Sequence, residues 1–170
     1  MRTCILLACA CLAVSGGCPT GSTTDGGSTV FARTGRFTGT LTCTQTNSAP
    51  TSTPVDYTIN LAVEIRTNGE ILINGYFYYL GAINPIVLYD YSSTETVTSL
   101  TVTADQILIQ SQTESFLQDD NLAFQGTKTI TLTPDASGGL NYTFRWFDTS
   151  QPPAAAFAVE TNCQATLAPQ

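Results

Sequence analysis

Carboxylates are the side chains in this sequence with the widest chemistry, because two facing carboxyl groups can hydrolyse a glycosidic bond. The chain holds 13 acidic and 6 basic residues, which gives a net charge of −7. The acids that could form such a pair are scattered along the chain: Asp56, Glu64, Glu70, Asp90, Glu95, Glu114, Asp148 and Glu160. Most of them are assigned to the outward phase of alternating segments or to turns, where solvated acids are expected. A carboxylate-based hydrolase is therefore the least favoured function, and we predict no catalytic residue and no enzymatic activity.

Metal and cofactor chemistry finds little support in the composition. The sequence has no histidine, so the commonest general base and the usual nitrogen ligand for a metal are both missing. Asp119-Asp120-Asn121 is an oxygen-rich turn, but it lacks the spaced ligands and the distal glutamate of a calcium loop. We therefore predict no metal and no cofactor. The acidic balance also argues against a nucleic acid partner, which would need clustered Lys and Arg.

Aromatic rings are dense in the middle of the chain. Residues 76–79 read Tyr-Phe-Tyr-Tyr, and Tyr89 and Tyr91 follow near the next extended segment. We predict a binding surface formed by Tyr76, Tyr78, Tyr89 and Tyr91, whose exposed rings would stack on a sugar or contact a protein partner. The alternative is that these rings only cover the outer surface or the rim of a sheet, which their β-propensity favours.

The first residues have the features of an export signal. Met1 and Arg2 give a positive start, an apolar run extends to Val14, and Ser15-Gly16-Gly17 is a zone of small residues before Cys18. This pattern predicts a signal peptide over residues 1–17. The apolar run is too short to span a bilayer as a mature helix. Cleavage after Ser15 by ordinary signal peptidase is the alternative, and it predicts a secreted protein.

The small-residue segment that ends in Cys18 resembles the lipobox of bacterial lipoproteins. The resemblance implies that Cys18 becomes the first mature residue and carries acyl chains such as palmitate. Several acyl chains would anchor the protein stably to a membrane. The expected location is the bacterial cell envelope, as an outer-membrane lipoprotein that faces the periplasm or the exterior.

The cysteine count agrees with this assignment. Three of the six cysteines lie within the signal and one would carry lipid, which leaves Cys43 and Cys163 as an even pair. Because an exported protein meets an oxidising environment, we predict a Cys43–Cys163 disulfide.

The β-strands that would position the acidic, aromatic and cysteine side chains begin after a linker. Residues 18–30 contain the Cys and a Gly-, Ser- and Thr-rich stretch that is expected to be a flexible tether. Residues 31–170 alternate apolar and polar side chains with period 2, which predicts a β-domain. Asp56–Arg66 reads as a strand with one buried face, and Asn68-Gly69 as a two-residue hairpin turn. The next strand is predicted to run through residues 71–79 with its apolar residues in one phase: Ile71, Ile73, Phe77 and Tyr79. Ile86–Tyr91 is predicted as another short strand.

Eight or nine such strands with short turns predict a single antiparallel up-and-down barrel, and a β-sandwich is the alternative. Cys43 lies in the first strand and Cys163 in the last, so their bond would join the two ends of the domain. In strand number and order the domain resembles the small lipocalin and avidin-like barrels, a resemblance that carries over no binding residue. The predicted function is an exported, membrane-anchored, non-enzymatic barrel that binds a small apolar or carbohydrate ligand. The alternative is a structural or protein-interaction lipoprotein of the envelope.

Overall fold

The computed structural model describes residues 30–48, 53–88, 91–117, 122–151 and 158–170. They form one antiparallel sheet of ten strands in the order β4-β3-β2-β1-β10-β9-β8-β7-β6-β5, nearly closed into a barrel. The strands are β1 (Gly35–Asn47), β2 (Val55–Ile65), β3 (Ile71–Ile73), β4 (Tyr76–Tyr78), β5 (Ile83–Leu88), β6 (Tyr91–Val102), β7 (Ile107–Leu117), β8 (Leu122–Pro134), β9 (Leu140–Ser150) and β10 (Ala158–Pro169). The predicted all-β up-and-down barrel is confirmed, with ten strands in place of the expected eight or nine. The predicted signal peptide, Cys18 and its tether, and Asp119-Asp120-Asn121 lie outside the described residues.

The first and last strands lie side by side and are joined covalently. β1 pairs with β10, and in that register Cys43 is directly opposite Cys163. Their Cα atoms are 4.1 Å apart and their sulfurs are bonded, which confirms the predicted disulfide. Both cysteines are buried because they fall in the inward phase of their strands. The bond therefore lies on the inner side of the sheet.

Two Asn-Gly pairs determine how the chain turns after β2. The two-residue turn was predicted at Asn68-Gly69, but it forms at Asn74-Gly75. At Asn68-Gly69 only the glycine has a positive φ, and the Gly69 N–H donates to the Arg66 carbonyl. That is a three-residue hairpin loop, so the prediction of a two-residue turn there is wrong. Asn74 and Gly75 both have positive φ, 49° and 85°, as a two-residue turn of type I′ requires.

The Asn74-Gly75 turn also corrects the predicted strand over residues 71–79. The chain reverses at this turn, so Ile71 pairs with Tyr78 and Ile73 pairs with Tyr76 across a short hairpin. Tyr78 therefore shares the inward face of Ile71, and Phe77 faces outward. The predicted phase, which grouped Phe77 with the two isoleucines, is wrong because a hairpin turn resets the alternation.

The region after this hairpin also differs from the prediction. Residues 86–91 do not form a single strand, because Leu88 at the end of β5 pairs with Tyr91 at the start of β6. β5 includes Pro85, which is tolerated because β5 is an edge strand of the sheet. Within β6 the pairing with β7 shifts between Val97 and Ser99, which marks a β-bulge.

The two halves of the barrel interior differ in polarity. Near the 66–70, 103–106 and 135–139 loops the interior is an apolar core: Phe37, Ile65, Ile71, Ile107, Leu132, Leu140 and Leu167. Phe31 is buried with this cluster, and the next residue, Ala32, donates its N–H to the Ala104 carbonyl. Within the described ranges, no helix is long and apolar enough to cross a membrane. The polar interior of the other half contains the candidate site.

Candidate functional site

The barrel has a seam where its two edge strands, β4 and β5, meet without a ladder of backbone hydrogen bonds. The Asn84 side chain of β5 bridges this seam by donating from Nδ2 to the Phe77 carbonyl at 2.9 Å. The segment between the strands is held to β6, because Val97 exchanges backbone hydrogen bonds with Gly81 and Ala82. The seam is therefore closed by a side chain and a loop.

A pocket of about 160 Å³ opens at this seam, and we call it the seam pocket. It is lined by Leu41, Ile59, Leu61, Ile73, Asn74, Tyr76, Tyr78, Pro85, Ile86, Lys128, Tyr142 and Phe144. Asn74 and Tyr76 are exposed, whereas Lys128 and Tyr142 are buried. The pocket thus runs from the surface into the barrel, between walls that are mostly aliphatic and aromatic.

Lys128 is the cationic group of the seam pocket. It occupies the inward phase of β8 together with Phe124, Ile130 and Leu132, so the strand alternation places its side chain inside the barrel. Its side chain is 6% exposed. The Lys128 ammonium lies in the pocket because its position on β8 faces inward, on a face whose other side chains are apolar.

The Lys128 ammonium is held by three kinds of contact. Nζ lies 2.5 Å from Oε2 of Glu95, which projects inward from β6. It donates to the Tyr78 hydroxyl at 3.1 Å, and it stands 5.3 Å from the centre of the Tyr78 ring and 5.4 Å from that of Phe144. Burial lowers the pKa of Lys128 below its usual value, and the charge of Glu95 opposes that shift.

Two phenols in the pocket stay neutral and keep their O–H donors. Burial, followed by the nearby charge of Glu95, raises the pKa of Tyr78 and that of Tyr142 far above the ordinary value of a phenol. A negative charge on either oxygen would be poorly solvated and would lie close to a carboxylate. The polar groups at the inner end of the pocket are thus the Lys128 ammonium, which is paired with Glu95 behind it, and two neutral hydroxyl groups.

A second buried carboxylate, Asp148, lies on the inward face of β9. Its two oxygens accept hydrogen bonds from the Thr113 hydroxyl at 2.5 Å and from the Ser115 hydroxyl at 2.6 Å. Thr113 in turn accepts from Nε1 of Trp146 at 3.1 Å. Gly126 of β8 lies in register between Thr113 and Asp148, so Asp148 reaches over a residue without a side chain.

Glu95 and Asp148 are buried, at 0% and 1% exposed, and they depart from the prediction that most of the acids lie on outward faces or at turns. Glu95 is tied to Lys128, and Asp148 is tied to two hydroxyl groups on β7. Each carboxylate has its own partners, and neither lines the seam pocket.

The other described acids fit the prediction of surface or turn positions. Glu64 and Glu70 are paired with Arg66, Glu160 with Arg145, and Asp56 accepts from the Thr44 hydroxyl. In the parts of the chain that the structure describes, no group of three residues is arranged to hold a metal ion.

The sequence contained signals for two of the missed residues. Lys128 and Asp148 continue the inward alternation of their neighbours in β8 and β9. Glu95 had no such signal, because the bulge at Val97 and Ser99 shifts the phase of β6 by one residue. Counting back from the inward Leu100 places Glu95 on the wrong face.

The predicted aromatic surface is brought together only in part. Tyr76 is 46% exposed at the mouth of the seam pocket, but Tyr78 is 7% exposed and lies inside. Tyr78 therefore cannot contribute to an exposed platform. Tyr89 and the side chain of Tyr91 lie outside the described residues.

Comparison with protein-family models, with curated proteins and with solved structures yields no match. The fold and the seam pocket together define a small up-and-down β-barrel whose interior is part apolar core and part polar pocket.

Proposed function

We propose that this chain is an exported, non-enzymatic binding protein whose barrel takes one small, mainly apolar ligand in the seam pocket. The observation that carries this proposal is the pocket itself, which runs from the surface to a buried ion pair through apolar walls. A cavity of about 150 Å³ accommodates benzene, so about 160 Å³ suits a single ring or a short alkyl chain.

Membrane attachment is the second part of the proposal. Residues 1–17 would be removed, Cys18 would carry acyl chains, and residues 18–30 would tether the barrel to the envelope. The Cys43–Cys163 disulfide supports an oxidising compartment. The test is the intact mass of the mature protein extracted from membranes. A mass that starts at Cys18 with acyl chains supports the anchor, whereas a soluble product that starts at Gly16 contradicts it.

The binding proposal is tested with benzyl alcohol as the probe. Titration of the folded protein, followed by Trp146 fluorescence and by calorimetry, is expected to show saturable binding to one site. The variant Ile59→Trp fills the pocket and should abolish binding. Its matched control is Ile83→Trp, because Ile83 is an exposed residue of the same seam that does not line the pocket. Equal binding by both variants would contradict the assigned site.

Protein interaction is a second candidate, because exposed apolar side chains cluster at the seam: Tyr76, Phe77, Tyr79, Leu80 and Ile83. Exposed edge strands with apolar side chains are prone to pair with another chain. Sedimentation of the wild type and of the Leu80→Asp/Ile83→Asp variant tests this function. Self-association that the variant loses supports it, and a monomeric wild type at all concentrations counts against it.

A further inference from the structure

We propose that Lys128 captures small aldehydes or ketones in the seam pocket as a reversible imine on its side-chain nitrogen. This inference rests on the proposed ligand pocket and names the chemical class that the pocket takes. Lys128 is the single lysine among 170 residues, and the other five basic residues are all arginine.

The presence of lysine, and not arginine, at this buried position indicates a role that needs an amine. Lysine is almost never fully buried, and arginine is the better residue for a fixed buried ion pair because its planar group bonds a carboxylate through two donors. The other basic residues of the chain are arginines, and among the residues that the structure describes, lysine occupies the one buried cationic position. The chemical difference is that an amine can lose its proton and act as a nucleophile, which a guanidinium cannot.

The geometry supplies what an imine-forming amine needs. Lys128 lines the inner part of a pocket whose lining residues are mostly aliphatic or aromatic, so a carbonyl compound that enters from the seam meets the amine. Glu95 is 2.5 Å from Nζ and can take its proton, and Tyr78 positions the nitrogen by a hydrogen bond. Burial lowers the pKa of Lys128, which favours the neutral amine.

The reaction balances without any oxidant or reductant. The ammonium gives a proton to Glu95, and the neutral amine forms a C–N bond to the carbonyl carbon while the C=O π electrons move to oxygen. The oxygen takes up a proton, and the resulting hydroxyl leaves with a second proton as one water molecule. The nitrogen lone pair forms the C=N bond as water leaves, and the one proton that stays on nitrogen makes the product a protonated imine whose positive charge lies beside the Glu95 carboxylate. Overall, the ammonium and one aldehyde give one protonated imine and one water.

The experiment uses benzaldehyde and sodium cyanoborohydride, which reduces the imine to a stable secondary amine. The mature folded protein is treated, and intact mass and peptide mapping are read. We expect one benzyl group per chain, on Lys128. Labelling should be on the order of tenfold or more faster than in the same protein unfolded in urea, because the pocket raises the local concentration of the aldehyde. Benzyl alcohol, which fills the same space but has no carbonyl carbon, should slow the labelling.

The matched variant is Lys128→Arg, which keeps the positive charge beside Glu95 but cannot form an imine. It should lose labelling at position 128, which peptide mapping separates from any label on a free α-amine, while the protein stays folded, as judged by circular dichroism and an intact disulfide. Saturable binding of benzyl alcohol without trapping of benzaldehyde would overturn the imine and leave the binding function standing. Absence of both binding and trapping would overturn both proposals. Labelling at the same rate in the unfolded chain would also overturn the inference, since the fold would then contribute nothing.

Discussion

Replacement of Gly126 by alanine tests whether the buried Asp148 network depends on a residue without a side chain. A Cβ at position 126 would overlap the Phe147 carbonyl oxygen and Oδ1 of Asp148, and it would lie 2.7 Å from the Asp148 Cα. These atoms belong to the backbone or to a carboxylate held by hydrogen bonds, so none of them can move aside without cost. We therefore expect β8 and β9 to separate locally and the Asp148 carboxylate to lose contact with its partners on β7.

The expected loss of unfolding free energy in Gly126→Ala has two contributions. Overpacking of a tight interior costs about 1–3 kcal/mol. Loss of a hydrogen bond to a buried charged group costs about 1.5–3 kcal/mol, and Asp148 accepts two such bonds. These ranges together give a loss of about 4–9 kcal/mol in the free energy of unfolding for Gly126→Ala, which is a large share of the ~5–15 kcal/mol of a typical domain.

The assay is urea unfolding with the disulfide intact, followed by the fluorescence of Trp146. The control is Gly138→Ala, because Gly138 has a φ of 93° but nothing within 4 Å of an added Cβ. It should cost about 1 kcal/mol through its backbone alone. The double variant Gly126→Ala/Asp148→Asn should lose less than the sum of its single variants, since both act on one network. The reasoning fails if Gly126→Ala costs no more than Gly138→Ala.

Three further predictions follow from the buried groups. Replacement of Cys43 and Cys163 by alanine opens a cross-link with a sequence separation of 120 residues and should lower the free energy of unfolding by up to about 4–5 kcal/mol in urea titrations; an unchanged midpoint would contradict it. Lys128→Met leaves the Glu95 carboxylate buried without its cation and should cost about 3–5 kcal/mol, while Lys128→Met/Glu95→Leu should recover most of that loss; a double variant as unstable as the single one would argue against a buried pair. Because the pKa of Tyr142 is raised in the folded state, above pH ~10 the unfolded chain ionises this phenol and the folded chain does not. The stability that Tyr142 confers is complete below pH ~10 and falls above it, so the wild type should lose about 1.4 kcal/mol per pH unit relative to Tyr142→Phe; parallel pH profiles of the two proteins would refute this.

Much of the fold could be predicted because one face of each strand is buried and the other is not. β9 shows this most clearly, since Leu140, Tyr142, Phe144 and Trp146 are all inward, as their alternation predicts. The prediction failed where the alternation was reset. An Asn-Gly turn at Asn74 divided one predicted strand into two, and the turn itself is a sequence signal that was present twice in a short segment.

The candidate site was less predictable than the fold. The predicted aromatic surface included Tyr78, which instead faces inward beside Lys128. The seam pocket itself depends on strands that are far apart in sequence, since its lining residues come from both edges of the sheet and from β1, β2, β8 and β9. A period of 2 assigns residues to faces but does not say which strands meet.

The sequence by itself determined the all-β class, the alternation of faces and the pairing of Cys43 with Cys163, because these depend on local period and on cysteine parity. Only the tertiary structure decided that the single lysine faces a carboxylate from two strands away. The bulge at Val97 and Ser99 turns Glu95 inward, and the curvature of a nearly closed sheet brings it to Lys128. Such contacts follow from the way the whole sheet closes, which no window of sequence contains.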